Sequence, residues 1–522
     1  MRAKYLIDVM SRAQKMQVVL LVGMWILGVV WFWAWWLKPE HVTDWFRFGL
    51  NSAILGWMTV LPGYYFYFLL RGKRPNPDLA VPEGWRVAMV VTRAPAEPFG
   101  LVEKTLMAML GQKYPHDTWL ADEDPTEEIH RWCEERGIKV STRKGAADYQ
   151  RKEWPRREKC KEGNLAYFYD KYGYEAYDFV AQLDADHVPV PGYLEEMIRP
   201  FADLRVGYVS APSMCDANAG KSWAARGRLQ AEATFHGTLQ AGYTNGWAPL
   251  CIGSHYAVRT KALKDIGGLG PELAEDHSTT LLMNAVGWRG VHAFEAEAHG
   301  DGPATFADAM TQEFQWARSL VVLLLNLTPK VWRRLSWRLK GQFLFSQLWY
   351  GIFGVTMLLA YVLPVVAIFT DKVWVRVNYL DFLAHSTVPT VTALGTVYWV
   401  KRQGWLRPRG SAVWSWEAAV FQLARWPWVL WAAVMAVGGW LWGKQFDFRV
   451  TPKGAVAQDV EPKVLAPYVG LSGALAGSVI AASGTQWATG YYYFALLGAA
   501  IYLGLVVLVV YKHLEEYEAA VG

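Results

Sequence analysis

The sequence predicts an α/β domain with a mostly parallel sheet, inserted in an α-helical transmembrane bundle of about six spans with in-plane interface helices. Three observations lead there. The 522 residues are 53% hydrophobic and only 19% charged, against roughly 45–50% and about 25% in soluble domains. Charge is missing from long stretches at both ends of the chain and concentrated between them. The middle alternates short apolar strand patterns with helical ones, as a parallel sheet requires. This composition excludes a disordered chain, a fibrous repeat and a disulfide scaffold, and it argues against a purely soluble protein.

The spans open the chain. No charged residue occurs from Met16 through Leu37 or from Phe48 through Leu70, and each run matches the ~20 apolar residues that cross a ~30 Å hydrocarbon core. A cleaved signal peptide is the rival reading of the first run, but Trp31, Trp33, Trp35 and Trp36 replace the small residues of a cleavage site. Arg2, Lys4, Arg12 and Lys15 precede the first span, and Arg71, Lys73 and Arg74 follow the second. The positive-inside rule then puts both flanks in the cytoplasm, with everything from about 71 to 340. Cys133, Cys160, Cys215 and Cys251 all fall in that block without a CxxC pair, which suits reduced thiols.

Further charge-free stretches cover 341–370, 382–400, 427–443 and 464–511. The last is long enough for two spans, with Ser483-Gly484-Thr485-Gln486 as the turn. The 427–443 run is expected to lie in the interface plane. Arg425, Pro427 and the neighbouring tryptophans suit that, and a span there would put Lys444, Lys453 and Lys463 outside. The basic, Trp-containing stretch 329–340 reads as a second interface helix, or as a cytoplasmic linker helix. The expected units are therefore a helix pair (1–72), a cytosolic α/β domain (73–328), a stretch of interface helices, two spans and a loop (329–460), and a final pair of spans (461–522).

Within the cytosolic block, Arg86–Val91 and Thr118–Ala121 read as strands, with a helix from about Leu101 to Leu110 between them. Asp122 follows the second strand, where ligands bind in parallel sheets; a helix-capping role is the plainer alternative. Asp178–Leu183 is an apolar strand that runs straight into Asp184-Ala185-Asp186-His187. Two carboxylates at i and i+2 past a strand can share Mg²⁺ or Mn²⁺, which would also hold a diphosphate. Glu275 and Asp276 open a helix, as dipole partners or as a general base. Gln312-Glu313-Phe314-Gln315-Trp316-Ala317-Arg318 completes the set, with an amphipathic helix against the bilayer as its plain alternative.

In this order, between N-terminal spans and a C-terminal bundle, these segments resemble the processive family-2 glycosyltransferases of membranes, above all cellulose synthase catalytic subunits and bacterial β-glucan synthases. Asp184–Pro189 reproduces the family's DADHVP string, and Lys161-Glu162-Gly163-Asn164 resembles its KAGN segment. Ile252-Gly253-Ser254, Arg259 and Gly267-Gly268 resemble its FFCGS…R…GGF stretch. Glu275-Asp276 matches the end of TED, and Phe448–Gly454 matches the FxVTxKG gating loop. The family's QxxRW reads Gln312…Gln315-Trp316, so its arginine is a glutamine; Arg318 is the candidate to compensate.

The resemblance implies a GT-A glycosyltransferase domain in the bacterial inner membrane, with the catalytic domain and both termini cytoplasmic. It implies polymerisation of a β-linked glucan from UDP-glucose, with export through the protein's own channel. By the same resemblance Asp122 and Lys161 hold the uridine end, Asp184 and Asp186 bind the diphosphate through Mg²⁺ or Mn²⁺, and Arg318, Thr451 and Lys453 also meet the nucleotide. Asp276, with Glu275 beside it, takes the acceptor proton, while Gly253, Ser254, Gln312, Gln315 and Trp316 hold the acceptor sugar. Its partners are the UDP-sugar, the growing polysaccharide, membrane lipid and an accessory secretion subunit. The net charge of +5 is accounted for by cytoplasmic-face lysines and arginines, and nucleic acid is not expected. The alternatives are a UDP-GlcNAc-using chitin- or hyaluronan-like synthase, a β-1,3-glucan synthase, single transfer to a lipid carrier, and a non-catalytic transport subunit.

Overall fold

The computed structural model describes residues 5–443, 462–482 and 489–521. Its centre is a seven-stranded sheet made of β1 (Val87–Arg93), β2 (Asp117–Asp122), β3 (Lys139–Ser141), β4 (Phe179–Leu183), β5 (Val206–Ser210), β6 (His255–Arg259) and β7 (Arg289–His292). The order across the sheet is β7-β5-β6-β4-β1-β2-β3. Strands β4, β1, β2 and β3 run parallel, as do β5 and β7. β6 runs antiparallel to both of its neighbours. Strands β1 and β4 are buried almost end to end because helices cover both faces. Met89 and Val91 pack with Val102, Leu106 and Leu194 on one side. Ala88 and Val90 pack with Leu165, Phe168 and Leu263 on the other.

Strand direction decides what meets at the edge. The carboxyl ends of β1, β2 and β4 lie side by side, with Arg93 opposite Asp122 and Val91 opposite Leu183. Because β6 is antiparallel, its first residue, His255, pairs with the last residue of β4. Residues 253–254 therefore arrive at the same edge as Asp184. A small three-stranded sheet of Val188–Pro189, Ala298–His299 and Ser213–Met214 closes that edge.

Five helices among the described residues are long and apolar enough to cross a membrane: Arg12–Trp36, Trp337–Thr370, Trp416–Trp442, Pro462–Ala481 and Gly490–Glu518. Two sequence expectations change here. The 427–443 run, expected in-plane, is part of the continuous Trp416–Trp442 helix, which is among the five. Arg425 does not sit at an interface: it is buried and pairs with Glu313 at 3.2 Å, so its charge is met inside the protein. The expected interface helix at 329–340 is instead a helical turn, Thr328–Val331, and a 3₁₀ turn, Trp332–Arg334. Trp337 then starts the 34-residue helix that follows, capped by Ser336. Trp45–Leu69 and Tyr379–Arg402, both expected to span, are continuous helices that are not among the five.

Those last two are charge-poor but carry polar side chains. Asn51, Ser52, Thr59 and three tyrosines lower the apolarity of the first. Thr387, Thr390, Thr392 and Thr396 lower that of the second, each hydroxyl donating to the carbonyl four residues back. The expected turn at Ser483–Gln486 and the expected gating loop, with Thr451 and Lys453, lie outside the described residues. All four cysteines are free thiols.

An ionic clamp joins the segment after Tyr379–Arg402 to the α/β domain. Arg407, 1% exposed, pairs with Glu295 at 3.0 Å and Glu297 at 3.2 Å, and its guanidinium lies 4.0 Å from the centre of the Phe294 ring. Removing one partner of a buried pair leaves the other uncompensated. Arg407→Ala is therefore expected to destabilise the protein by about 2 kcal/mol, a figure reduced because both glutamates keep some solvent. Thermal unfolding in detergent measures it.

Candidate active site

The site is built where β1, β2, β4 and β6 meet. Asp122, fully buried, ends β2 and accepts both hydrogen bonds of a fork from Arg93 Nη1, at 2.9 and 3.2 Å. It also accepts from the backbone of Asp124 at 3.0 Å. The expected capping alternative falls to Thr126, whose hydroxyl caps the next helix. Asn164 donates to the carbonyl of Ala121 at 2.8 Å, tying the helix Lys161–Phe168 to β2. Gly163 is required by close approach: a Cβ there would strike the carbonyl of Arg157 and the Arg143 guanidinium. Arg143 in turn binds Glu123 and the carbonyls of Tyr149, Arg157 and Cys160.

Lys161, which begins that helix, donates to Asp184 Oδ1 at 2.6 Å and to the carbonyl of Gly253. The Asp184 amide donates to the carbonyl of Ser254 at 2.7 Å. Asp186 is buried, with His187 Nδ1 3.2 Å from Oδ1 and the Asp301 amide donating to Oδ2 at 3.1 Å. The other ring nitrogen of His187 lies 3.4 Å from the Ser213 hydroxyl, and Ser254 donates to that same hydroxyl at 2.8 Å. A Cβ at Gly300 would overlap the His187 ring, so this residue too is glycine by necessity.

Asp184, Asp186 and His187 are the one group of three ligand-type side chains among the described residues whose candidate ligand atoms all lie within 4.8 Å of one another. The donors fit a hard divalent cation: two carboxylates supply oxygen, and a histidine held between Asp186 and Ser213 orients one of them.

Glu275 and Asp276 open the helix Glu275–Ala285. Asp276 Oδ1 accepts from the His277 amide at 2.7 Å. A Cβ at Gly253 would come 3.3 Å from Asp276 Oδ2, closer than an ordinary contact, and 3.9 Å from Glu275 Oε1, so this loop lies close against both carboxyls. Both carboxyls are pushed above their usual range, by burial first; Asp276 adds to the shift of Glu275, and Lys161 opposes both shifts. Asp122, Lys161, Asp184, Asp186, Gly253, Ser254, Glu275 and Asp276 thus share one edge of the sheet.

The remaining candidates sit on the helix Phe306–Asn326, which packs along Trp416–Trp442. Gln312 accepts from Arg228 Nη1 at 3.0 Å, and the Arg228 guanidinium lies 4.4 Å from the centre of the Trp316 ring. Trp316 therefore meets a cation, where its plain alternative was the bilayer. Gln315 is buried. Burial raises the Glu272 carboxyl, and Arg157 and then Arg318 oppose that rise.

Sequence reading missed Arg93, Arg143, Ser213, Arg228 and Asp301. Arg93 was within reach, since it ends β1, one strand over from Asp122. The others come from segments with no local motif.

The model for glycosyl transferase family group 2 matches residues 179–511. The UDP-forming cellulose synthase catalytic subunit of Xanthomonas axonopodis pv. citri is 24% identical over 343 residues, covering 63% of this chain and 45% of that protein. Cellulose synthase 1 of Komagataeibacter xylinus is 24% identical over 360 residues, covering 66% of this chain and 22% of that protein. The chain thus spans less than half the length of these two relatives. Among solved structures, a mannosyltransferase from Pyrobaculum calidifontis in complex with GDP-mannose and Mn²⁺ aligns with a TM-score of 0.49 and 16% identity, covering 76% of this chain and 99% of that one.

The raised Glu275 carboxyl has a signed consequence for stability. The folded chain holds that proton more tightly than the unfolded chain, so stability falls as pH rises above the ordinary glutamate range near about 4.3, until the raised value is passed. Glu275→Gln removes this contribution, by up to about 1.4 kcal/mol per pH unit. Melting temperatures of the variant are expected to gain on the wild type as pH rises from about 5 to about 8.

Proposed function

The chain belongs to glycosyl transferase family group 2, and from that premise we propose that it is an inverting, processive enzyme that polymerises a β-linked glucan from UDP-glucose. The observation that carries this reading is the meeting of Lys161, Asp184 and Gly253 beside Asp276. A cation for a leaving diphosphate and a buried base for an acceptor hydroxyl stand at one edge of the sheet. Mg²⁺ or Mn²⁺, when bound by Asp184 and Asp186, neutralises charge on the diphosphate.

The chemistry needs one base. The acceptor hydroxyl attacks the α-linked anomeric carbon, its proton passes to the Asp276 carboxylate, and UDP leaves from the opposite face. The product is a β-glycoside. Burial raises the Asp276 carboxyl toward neutrality, which suits a base that must accept and then release a proton. Lys161 favours the charged forms of the carboxylates and of the departing diphosphate alike.

Asp122, held by Arg93, takes the uridine end together with Lys161. Gly253 and Ser254 shape the floor between the donor and Asp276, with Glu275 behind it. Gln312, Gln315 and Trp316 hold the acceptor, the indole lying against the apolar face of a sugar ring. Arg318, Thr451 and Lys453 are proposed at the nucleotide by resemblance, the last two from outside the described residues. The α/β domain at 73–328 and both termini face the cytoplasm of a bacterial inner membrane in this reading. The polysaccharide leaves through the helical bundle amid membrane lipid, toward an accessory secretion subunit. Glutamine at 315 gives one specific reason to keep single transfer to a lipid carrier as a second reading.

Label from UDP-glucose, with UDP-GlcNAc in parallel, tests the proposal in purified protein in lipid with Mg²⁺ or Mn²⁺. A long, glucanase-sensitive product is expected. A short lipid-linked product, or label from UDP-GlcNAc alone, overturns the substrate or the processivity. Asp276→Asn is expected to lower transfer by about a thousandfold while UDP affinity stays, which separates loss of the base from loss of the donor site. Gln315→Arg is expected to keep activity or to tighten donor binding; collapse of activity would give Gln315 a specific task of its own.

A further inference from the structure

The segment that carries Gln312 and Trp316 has no cation before Arg318, yet a cation lies against it. Arg228 reaches across from the helix Trp223–Thr234. One of its nitrogens donates to Gln312 Oε1 at 3.0 Å, and its flat guanidinium lies 4.4 Å from the centre of the Trp316 ring. Its own counter-charge is Glu232, one turn along the same helix, at 3.3 Å. Glu313, Cys215 and Tyr350 face it from other elements. Cys215 also senses His187 and Asp186.

Two consequences follow from the geometry. A guanidinium against one face of an indole fixes the ring plane and leaves the opposite face for a stacking partner, a contact of about 1–2 kcal/mol when shielded from water. The hydrogen bond from Arg228 engages the carbonyl oxygen of Gln312, so the amide group that remains for a ligand is the NH₂. A flat apolar face beside an NH₂ donor is the recognition chemistry of a neutral, hydroxyl-rich ring.

We propose that Arg228 is the positioning residue of the acceptor site, holding the Trp316 ring and the Gln312 amide in the arrangement that binds a neutral sugar ring. This rests on the reading of Gln312 and Trp316 as acceptor residues. Lysine cannot replace Arg228, because an ammonium neither lies flat on the ring nor offers a fork of donors fixed in one plane.

The test is equilibrium binding of a labelled β-gluco-oligosaccharide of four units to protein in lipid loaded with UDP and Mn²⁺, with UDP affinity measured alongside. R228A is expected to weaken oligosaccharide binding by about tenfold, consistent with loss of a shielded cation–π contact and a charge-assisted hydrogen bond, while UDP affinity stays within about twofold. R228K, which keeps a cation for Glu232 and so guards against a folding defect, is expected to remain weakened by about fivefold. W316A is expected to lose as much as R228A, and the double variant no more than W316A alone, because Arg228 acts through the ring. Wild-type oligosaccharide binding in R228K, or losses that multiply in the double variant, would overturn the proposal. If the wild type itself binds UDP but no oligosaccharide, the acceptor reading beneath it fails, and the proposal falls with it.

Discussion

A single ammonium group reconciles the parts of this site. Lys161 binds Asp184 at 2.6 Å and the carbonyl of Gly253, and its charge also acts on Glu275 and Asp276. It joins the helix after β3, the end of β4 and the loop before β6, three segments far apart in sequence. Buried carboxylates repel one another and lose hydration together. Glu275 and Asp276 lie buried near part-exposed Asp184, and one lysine offsets only part of that cost. The remainder appears as the raised carboxyls of Glu275 and Asp276. An edge left short of positive charge in this way suits a divalent cation, which Asp184 and Asp186 would hold.

The sheet supplies the precision that the ammonium exploits. Parallel β1, β2 and β4 deliver Arg93, Asp122 and Asp184 to one edge, and the reversal of β6 brings Gly253 and Ser254 there instead of to the far end. Three glycines mark how tightly the segments approach. Gly163 makes room for the Arg157 carbonyl, Gly253 for the Asp276 carboxylate and Gly300 for the His187 ring. On the side facing the bundle, Glu313, next to Gln312 in sequence, pairs with Arg425 on Trp416–Trp442. The helix Phe306–Asn326 and a candidate membrane helix are thereby joined by a buried ion pair.

What could be read from the chain follows from the range of each force. Asp122, Asp184 and Asp186 were legible because an apolar run ending in a carboxylate marks the edge of a parallel sheet within a few residues. The direction of β6 was not, since a five-residue apolar strand carries no signal of its partner's orientation. Arg228 was invisible beside Gln312 because 84 residues separate them. Charge counting found the apolar helices but not their polar content: threonines that bond back to their own helix carry no charge, and Arg425 finds Glu313 inside the protein. The basic run at 329–340 looked amphipathic in sequence, but the chain breaks it into short turns before Ser336 caps the long helix.

The claim on which the rest stands is that Asp184 and Asp186 hold a divalent cation for a nucleotide diphosphate. Calorimetric binding of UDP to the wild type and to Asp186→Asn, each with and without Mn²⁺, tests it most directly. The account predicts that Mn²⁺ tightens UDP binding to the wild type by about tenfold or more, within the span of effects seen when a metal ligand or its support is lost, and that Asp186→Asn binds UDP equally with and without the metal. UDP affinity that ignores Mn²⁺ in the wild type would contradict it.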